Sequence, residues 1–147
     1  MPQFIGTSMP RGFAGMLTRG YFDNTTEAKV NDSTTPVVGF GVPVKINTTG
    51  DGVAPCAATS DAVYGFSVRM LGQADMQSVQ AQPIVTVMRR GYMAVKLASG
   101  DAKLGSPVYL DATGGISATA ASNTVIPNCT FMGTADADGL VEIAFNI

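Results

Sequence analysis

An all-β fold, a compact barrel or sandwich domain entered by an extended N-terminal arm, is what this sequence predicts. Three observations carry the prediction. Apolar residues recur at every second position in several short runs, the period of a half-buried strand. Gly, Pro, Asn and Asp cluster between those runs as turn signals. No run shows the 3.6-residue period of an amphipathic helix, so a barrel or sandwich of short strands is expected.

Residues 1–35 differ from the rest of the chain. Pro2, Pro10, Gly6, Gly12, Gly15 and Gly20 interrupt them, and they hold neither period. They nevertheless carry Phe4, Phe13, Tyr21 and Phe22, with Arg11 and Arg19 spaced among them. Disordered tails are usually poor in aromatics. The expectation is an arm over residues 1–35, lying on its own domain, a sister subunit or another protein, and then a single β-domain over residues 36–147.

The β-domain opens with Val42, Val44 and Ile46, which alternate past Pro43, a proline suited to an edge strand or a strand start. Residues 47–52 read as a turn. Tyr64, Phe66, Val68 and Met70 then face one way along a strand, with Ser67 and Arg69 on the other side. Residues 72–82 are polar and glutamine-rich and read as a loop.

The organising stretch is residues 85–111. Val85 and Val87 alternate, then Met93, Val95 and Leu97 do so with Lys96 opposed. Arg89-Arg90-Gly91 between them lacks the Asn-Gly or Asp-Gly of a two-residue hairpin. One long strand is therefore predicted, kinked at a glycine bulge, with the paired arginines outward. Val108 and Leu110 resume the pattern after turns at Gly100-Asp101 and at residues 105–107. Residues 111–115 turn into Ile116, and residues 119–123 form a polar loop. A closing hairpin joins residues 129–133 to 140–147, with Val141, Ile143, Phe145 and Ile147 inward and Glu142 and Asn146 outward. Val95, Leu97, Val141, Ile143 and Phe145 are expected to line one core.

At 147 residues the chain is one domain of ordinary size, able to bury roughly 70% of its unfolded surface without disulfides. Its net charge of −2 neither attracts nor strongly repels nucleic acid. A charged fraction of 14% is low against a typical figure of roughly 25%. Such a surface is buried against other proteins with little charge desolvation. No membrane-spanning run of apolar residues and no secretory signal is read.

Chemistry is poorly supported. The chain has no histidine, which removes the commonest general base and metal ligand and the Ser-His-Asp and Cys-His systems with it. Cys56 and Cys129 are too few for a zinc site or a disulfide framework and read as small buried hydrophobes. Asp136-Ala-Asp138-Gly139 has the wrong glycine placement for a calcium loop and reads as a turn. The Asn-x-Ser/Thr triplets at Asn24, Asn31, Asn47 and Asn128 are incidental without a secretory route. Arg89-Arg90 is too short for a nucleic-acid patch. No enzyme, cofactor or metal is expected.

The segments RGFAGMLTR (11–19), GFGVPVK (39–45), YGFSVR (64–69), RRGYMAVKL (89–97), PVY (107–109) and ADADGLVEI (135–143), in this order, carry a resemblance. With them the chain resembles the capsid cement, or decoration, proteins of tailed bacteriophages. The resemblance implies a β-domain with an N-terminal arm on the outer surface of the virion capsid, binding several copies of the major capsid protein. It implies synthesis in the host bacterial cytoplasm and neither a nucleic-acid nor a membrane partner. Self-association is expected as a homo-trimer, with a dimer as runner-up. Arg11, Phe13, Arg19, Tyr21 and Phe22 combine guanidinium donors with rigid aromatic area and are the expected capsid- or subunit-binding residues, together with Arg89 and Arg90. Residues 1–23 are expected to be needed for binding and dispensable for folding. Two other classes compete: a virion module binding host carbohydrate through Tyr92 or Tyr109, and a hydrolase using two carboxylates.

Overall fold

The computed structural model describes residues 12–69 and 83–147, and the expected 72–82 loop lies outside them. Among the described residues the chain is all-β, with a single 3-10 turn at Tyr21–Asp23 and no α-helix. Its strands are β1 (Thr25–Asn31), β2 (Pro43–Ile46), β3 (Gly52–Pro55), β4 (Gly65–Ser67), β5 (Ile84–Ser99), β6 (Pro107–Leu110), β7 (Ile116–Ser117), β8 (Thr124–Phe131) and β9 (Leu140–Phe145).

Everything is strung on β5, a 16-residue strand. Its second half closes a five-stranded barrel: β5 pairs with β7, β7 with β6, β6 with β8, β8 with β9, and β9 returns antiparallel to β5 from Gly91↔Phe145 to Lys96↔Leu140. The first half closes a smaller ring through β4, β2, β3 and β1. That closure is slight, since β1 and β3 share only the parallel pairs Val30↔Gly52 and Asn31↔Val53.

The expected kink is present. Gly91 has φ +139°, a conformation that favours glycine, and the β1–β5 register shifts by one residue between Thr25↔Arg90 and Thr26↔Met88. A Cβ on Gly91 would come within 2.0 Å of Asn24 Oδ1. The glycine is required because the Asn24 side chain occupies that space, accepting the Tyr92 backbone N–H at 2.8 Å.

The main core lies inside the barrel. Met93, Val95, Val108, Leu110, Ile116, Ile126, Phe131, Val141, Ile143 and Phe145 are all buried there. Phe66, Val68 and Met88 join them from the smaller ring, and Phe66 meets Phe145 edge to face with centroids 5.1 Å apart. Leu97, expected in this core, packs against it half-buried. Cys56 and Cys129 are buried as free thiols. Ile147, expected inward, is 58% exposed. The reason is local: β9 ends at Phe145, and Asn146 at φ +56° breaks the alternation. The smaller ring encloses a separate cluster of Val37, Val44, Val53 and Val87. Pro43 is the first residue of β2, where its missing N–H removes nothing from the ladder.

Candidate interface

The N-terminal segment lies along the part of β5 that enters the barrel. Residues 15–18 add a short strand to β5. Gly15 N–H donates to Ala94 O at 2.8 Å, Ala94 N–H to Met16 O at 2.9 Å, and Thr18 N–H to Tyr92 O at 3.2 Å. Ala94 thus gives both backbone groups to this segment, while β9 runs along the opposite edge. Leu17 packs against the barrel core. Part of the arm therefore finds its surface on its own domain, and residues 25–31 enter the sheet as β1. Residues 15–18 thus give β5 hydrogen-bond partners and lie over Ala94, which is fully buried, contacts that a deletion of residues 1–23 would remove.

A clasp fastens this segment to β9. Arg19 donates to Glu142 Oε1 at 3.0 Å, Thr18 Oγ1 donates to Glu142 Oε2, and the Arg19 guanidinium stacks 4.1 Å from the Tyr92 ring centroid. The hydrogen bond that Arg19 donates to Glu142 raises the Arg19 pKa against a smaller opposing effect of burial. Residues 20–24 then turn over Gly91, held by Asn24 Nδ2, which donates to Arg19 O at 3.1 Å and Gly20 O at 3.0 Å. On that turn Phe22 is 83% exposed.

The expected binding residues separate into three groups. Arg11 and the Tyr21 side chain lie outside the described residues. Phe13, Arg19 and Arg89 are engaged within the chain: Arg69 stacks on Phe13 at 4.3 Å, and Arg89 stacks on Tyr64 at 3.7 Å while donating to Tyr64 O at 2.8 Å. Phe22 and Arg90 are exposed. The structure thus brings Phe22, Arg19 and Arg90 to the kink at Gly91 and places Arg89 on the smaller ring.

Sequence reading missed the Arg89 cluster altogether. Glu27 Oε1 accepts from Tyr64 Oη at 2.8 Å and lies 3.3 Å from Arg89 Nε, and its other oxygen pairs with Lys29 at 3.0 Å. The only signal available was the charge alternation Glu27-Ala-Lys29, which places both side chains on one face of a strand.

The ionisable groups suit structure better than catalysis. Hydrogen bonds from Lys29 and Tyr64 lower the Glu27 pKa. The Thr49 hydroxyl and the Asn47 amide lower that of Asp51. For Asp61 and Asp111 burial acts upward, but backbone N–H groups (with Lys45 for Asp61 and Thr113 for Asp111) outweigh it. All four are therefore held below the ordinary carboxylate range by partners within the fold. Burial pushes the Cys56 thiol up to about 12 and raises Cys129 as well, which keeps both protonated and unreactive. Tyr92 has Arg19 on its ring and Tyr109 is half-buried in β6.

Comparison with known proteins points the same way. The family model described as "Structural cement protein (E217 gp24/Pam3 gp6)" matches residues 1–146. Comparison with curated proteins gave no match. Among solved structures, a chain from "The capsid of Myoviridae Phage XM1" superposes with a TM-score of 0.72 at 15% identity, covering 99% of this chain and 97% of that one. At that identity the likeness speaks for the fold. The whole-length family match goes further: this chain belongs to the phage structural cement proteins.

Proposed function

We propose that the protein sits on the outside of a phage head and strengthens it by bridging neighbouring major capsid protein subunits. The observation that carries this reading is the family match over residues 1–146. The physical logic is simple. A bridging protein adds binding free energy to the intact lattice alone, and many copies multiply a modest affinity. The surface suits the task, because a chain with 14% charged residues loses little on desolvation. Phe22, on a turn fixed by Asn24 beside Arg90, is an aromatic anchor whose ordering cost is already met by the fold. In this reading the protein performs no catalysis and needs no cofactor, and it works as a homo-oligomer, a trimer before a dimer.

The test is direct. Full-length protein is mixed with heads lacking it, and binding is followed by co-sedimentation, density on the shell and the temperature at which heads release DNA. Binding to the outer surface with a raised release temperature is expected. Protein that stays in the supernatant would overturn the proposal. Phe22→Ala is expected to weaken binding at least tenfold.

A further inference from the structure

Closing strands into rings normally removes free edges. Among the described residues one edge is left open. β1 runs beside β5 from Thr25↔Arg90 to Val30↔Ile84, but on its other side it meets β3 only at Val30 and Asn31. The direction of each backbone group in β1 follows from two hydrogen bonds. Asn31 N–H donates to Pro83 O at 2.9 Å, so Asn31, and by alternation Lys29 and Glu27, point toward β5. Val68 N–H donates to Thr86 O at 2.8 Å, which turns Thr86 toward β4 and leaves Val85 and Val87 as the partners of Lys29 and Glu27. Thr26 and Ala28 therefore aim their N–H and C=O groups away from the sheet, and both residues are exposed. Among the described residues no backbone partner meets them.

We propose that an extended segment of the major capsid protein adds to this edge as a strand, pairing with Thr26 and Ala28. The proposal rests on the cement reading above and supplies its mode of attachment: main-chain hydrogen bonds give the affinity, and side chains opposite Glu27 and Lys29 give the register. The edge continues directly from the turn that carries Phe22. Glu27 and Lys29 are already paired with each other, and Glu27 also with Arg89 and Tyr64, so the edge offers a docked strand main-chain groups more than free charge.

A second copy of this chain does not fit the edge. Two-fold pairing centred on Ala28 sets Thr26 of the copy against Val30, where Gly52 of β3 already lies. Centred on Glu27, it sets two Glu27 side chains face to face, each already paired with Lys29 and Arg89 of its own chain, and gains no charge contact. Centred on Thr26, it needs Asn24, whose side chain is committed to the turn over Gly91.

The experiment uses the full chain and heads lacking it. In the free protein, amide hydrogen exchange is expected to be fast at Thr26 and Ala28 and slow at Glu27 and Lys29. On heads, Thr26 and Ala28 become protected at least tenfold. Ala28→Pro removes one outward N–H at an edge position that tolerates proline, so the melting temperature is expected to hold while capsid binding falls about tenfold or more. Should that variant misfold, the exchange pattern of the wild type decides. Wild type bound to heads with no protection gained at Thr26 and Ala28 overturns the strand pairing and leaves the cement reading intact. Protection that appears on self-association without heads also overturns it. Failure of the wild type to bind heads removes both.

Discussion

The two rings that share β5 are built on different terms. The barrel holds Phe131, Met93, Leu110, Ile116, Ile126 and Ile143, all with less than 2% exposure, and its strand β9 pairs with β5 over six residues. The smaller ring has a core of four valines. Polar contacts supply much of its order instead. Asn31 makes two hydrogen bonds with the Val37 backbone, at 2.8 and 3.0 Å, and the buried Ser67 hydroxyl donates to Gly39 O at 2.8 Å. The lesson is that one long strand can belong to two kinds of structure at once. Its barrel half is held by large apolar volume, and its other half by small side chains and satisfied polar groups. The second kind is cheaper to open locally, and it is the half that carries the open edge of β1.

Core truncations give the largest expected effects and test this contrast first. Phe131 is fully buried in the barrel, so Phe131→Ala is expected to cost about 3–5 kcal/mol. Val53 is equally buried in the smaller ring, yet Val53→Ala removes two methyl groups and is expected to cost about 2 kcal/mol. Denaturant unfolding measures both. Equal losses would mean that the valine cluster bears as much weight as the barrel core, and the contrast would fail.

The joint between the halves comes next. Gly91→Ala puts a Cβ on a backbone at φ +139° and against Asn24 Oδ1. Strain of that kind costs roughly 1–3 kcal/mol. The variant is expected to lose stability within this range and to speed exchange at the Tyr92 amide, which bonds to Asn24. An unchanged melting temperature would show that the kink does not depend on glycine.

How much of this was legible depended on which force made each element. β5 and β9 could be read because burial on one face writes a two-residue period into the sequence. The same period placed Val141, Ile143 and Phe145 inside. β1 left no such mark. Its sequence TTEAKVN has one buried residue, Asn31, and it is a strand because β5 offers an edge to pair with. β3, with four residues ending in Pro55, is too short to show a period. The candidate interface was half legible. Arginine and aromatic content picked out Phe22 and Arg90, which are exposed, but also Arg19 and Arg89. Whether an arginine is spent on its own chain depends on a partner far away in sequence: Tyr64 for Arg89, Glu142 for Arg19.

Acid separates the rings more gently. Three of the carboxyls with lowered pKa serve the smaller ring: Glu27 on β1, Asp51 in the β2–β3 turn, and Asp61, paired with Lys45 of β2. Asp111, between β6 and β7, serves the barrel. A carboxyl whose folded pKa is lowered stabilises the fold above its unfolded value and loses that contribution as pH falls through the folded value. The window therefore opens below about pH 4. Exchange corrected for its intrinsic pH dependence is expected to rise first at β1–β3 and later at β8–β9. Simultaneous loss would show that the rings titrate as one unit.

The smallest effect concerns the clasp between the N-terminal segment and β9. Glu142→Gln keeps an acceptor for Arg19 and Thr18 but removes the charge. The Arg19 side chain is 42% exposed, and an exposed pair of this kind is worth less than about 1 kcal/mol. Global stability is therefore expected to stay within that margin. The local consequence is different, because residues 15–18 are tied to β5 by few hydrogen bonds and depend on the clasp to stay registered. The amides of Gly15 and Thr18 are expected to exchange several-fold faster in Glu142→Gln, with those of Val95 and Ile143 unchanged. Raising the salt concentration should reproduce part of that change in the wild type, since a half-exposed pair is screened within about 8–10 Å. If exchange at Gly15 and Thr18 does not move, the segment is held without the clasp, by its backbone bonds to β5 and by Leu17 against the barrel core, and it belongs with the strongly packed half of the molecule.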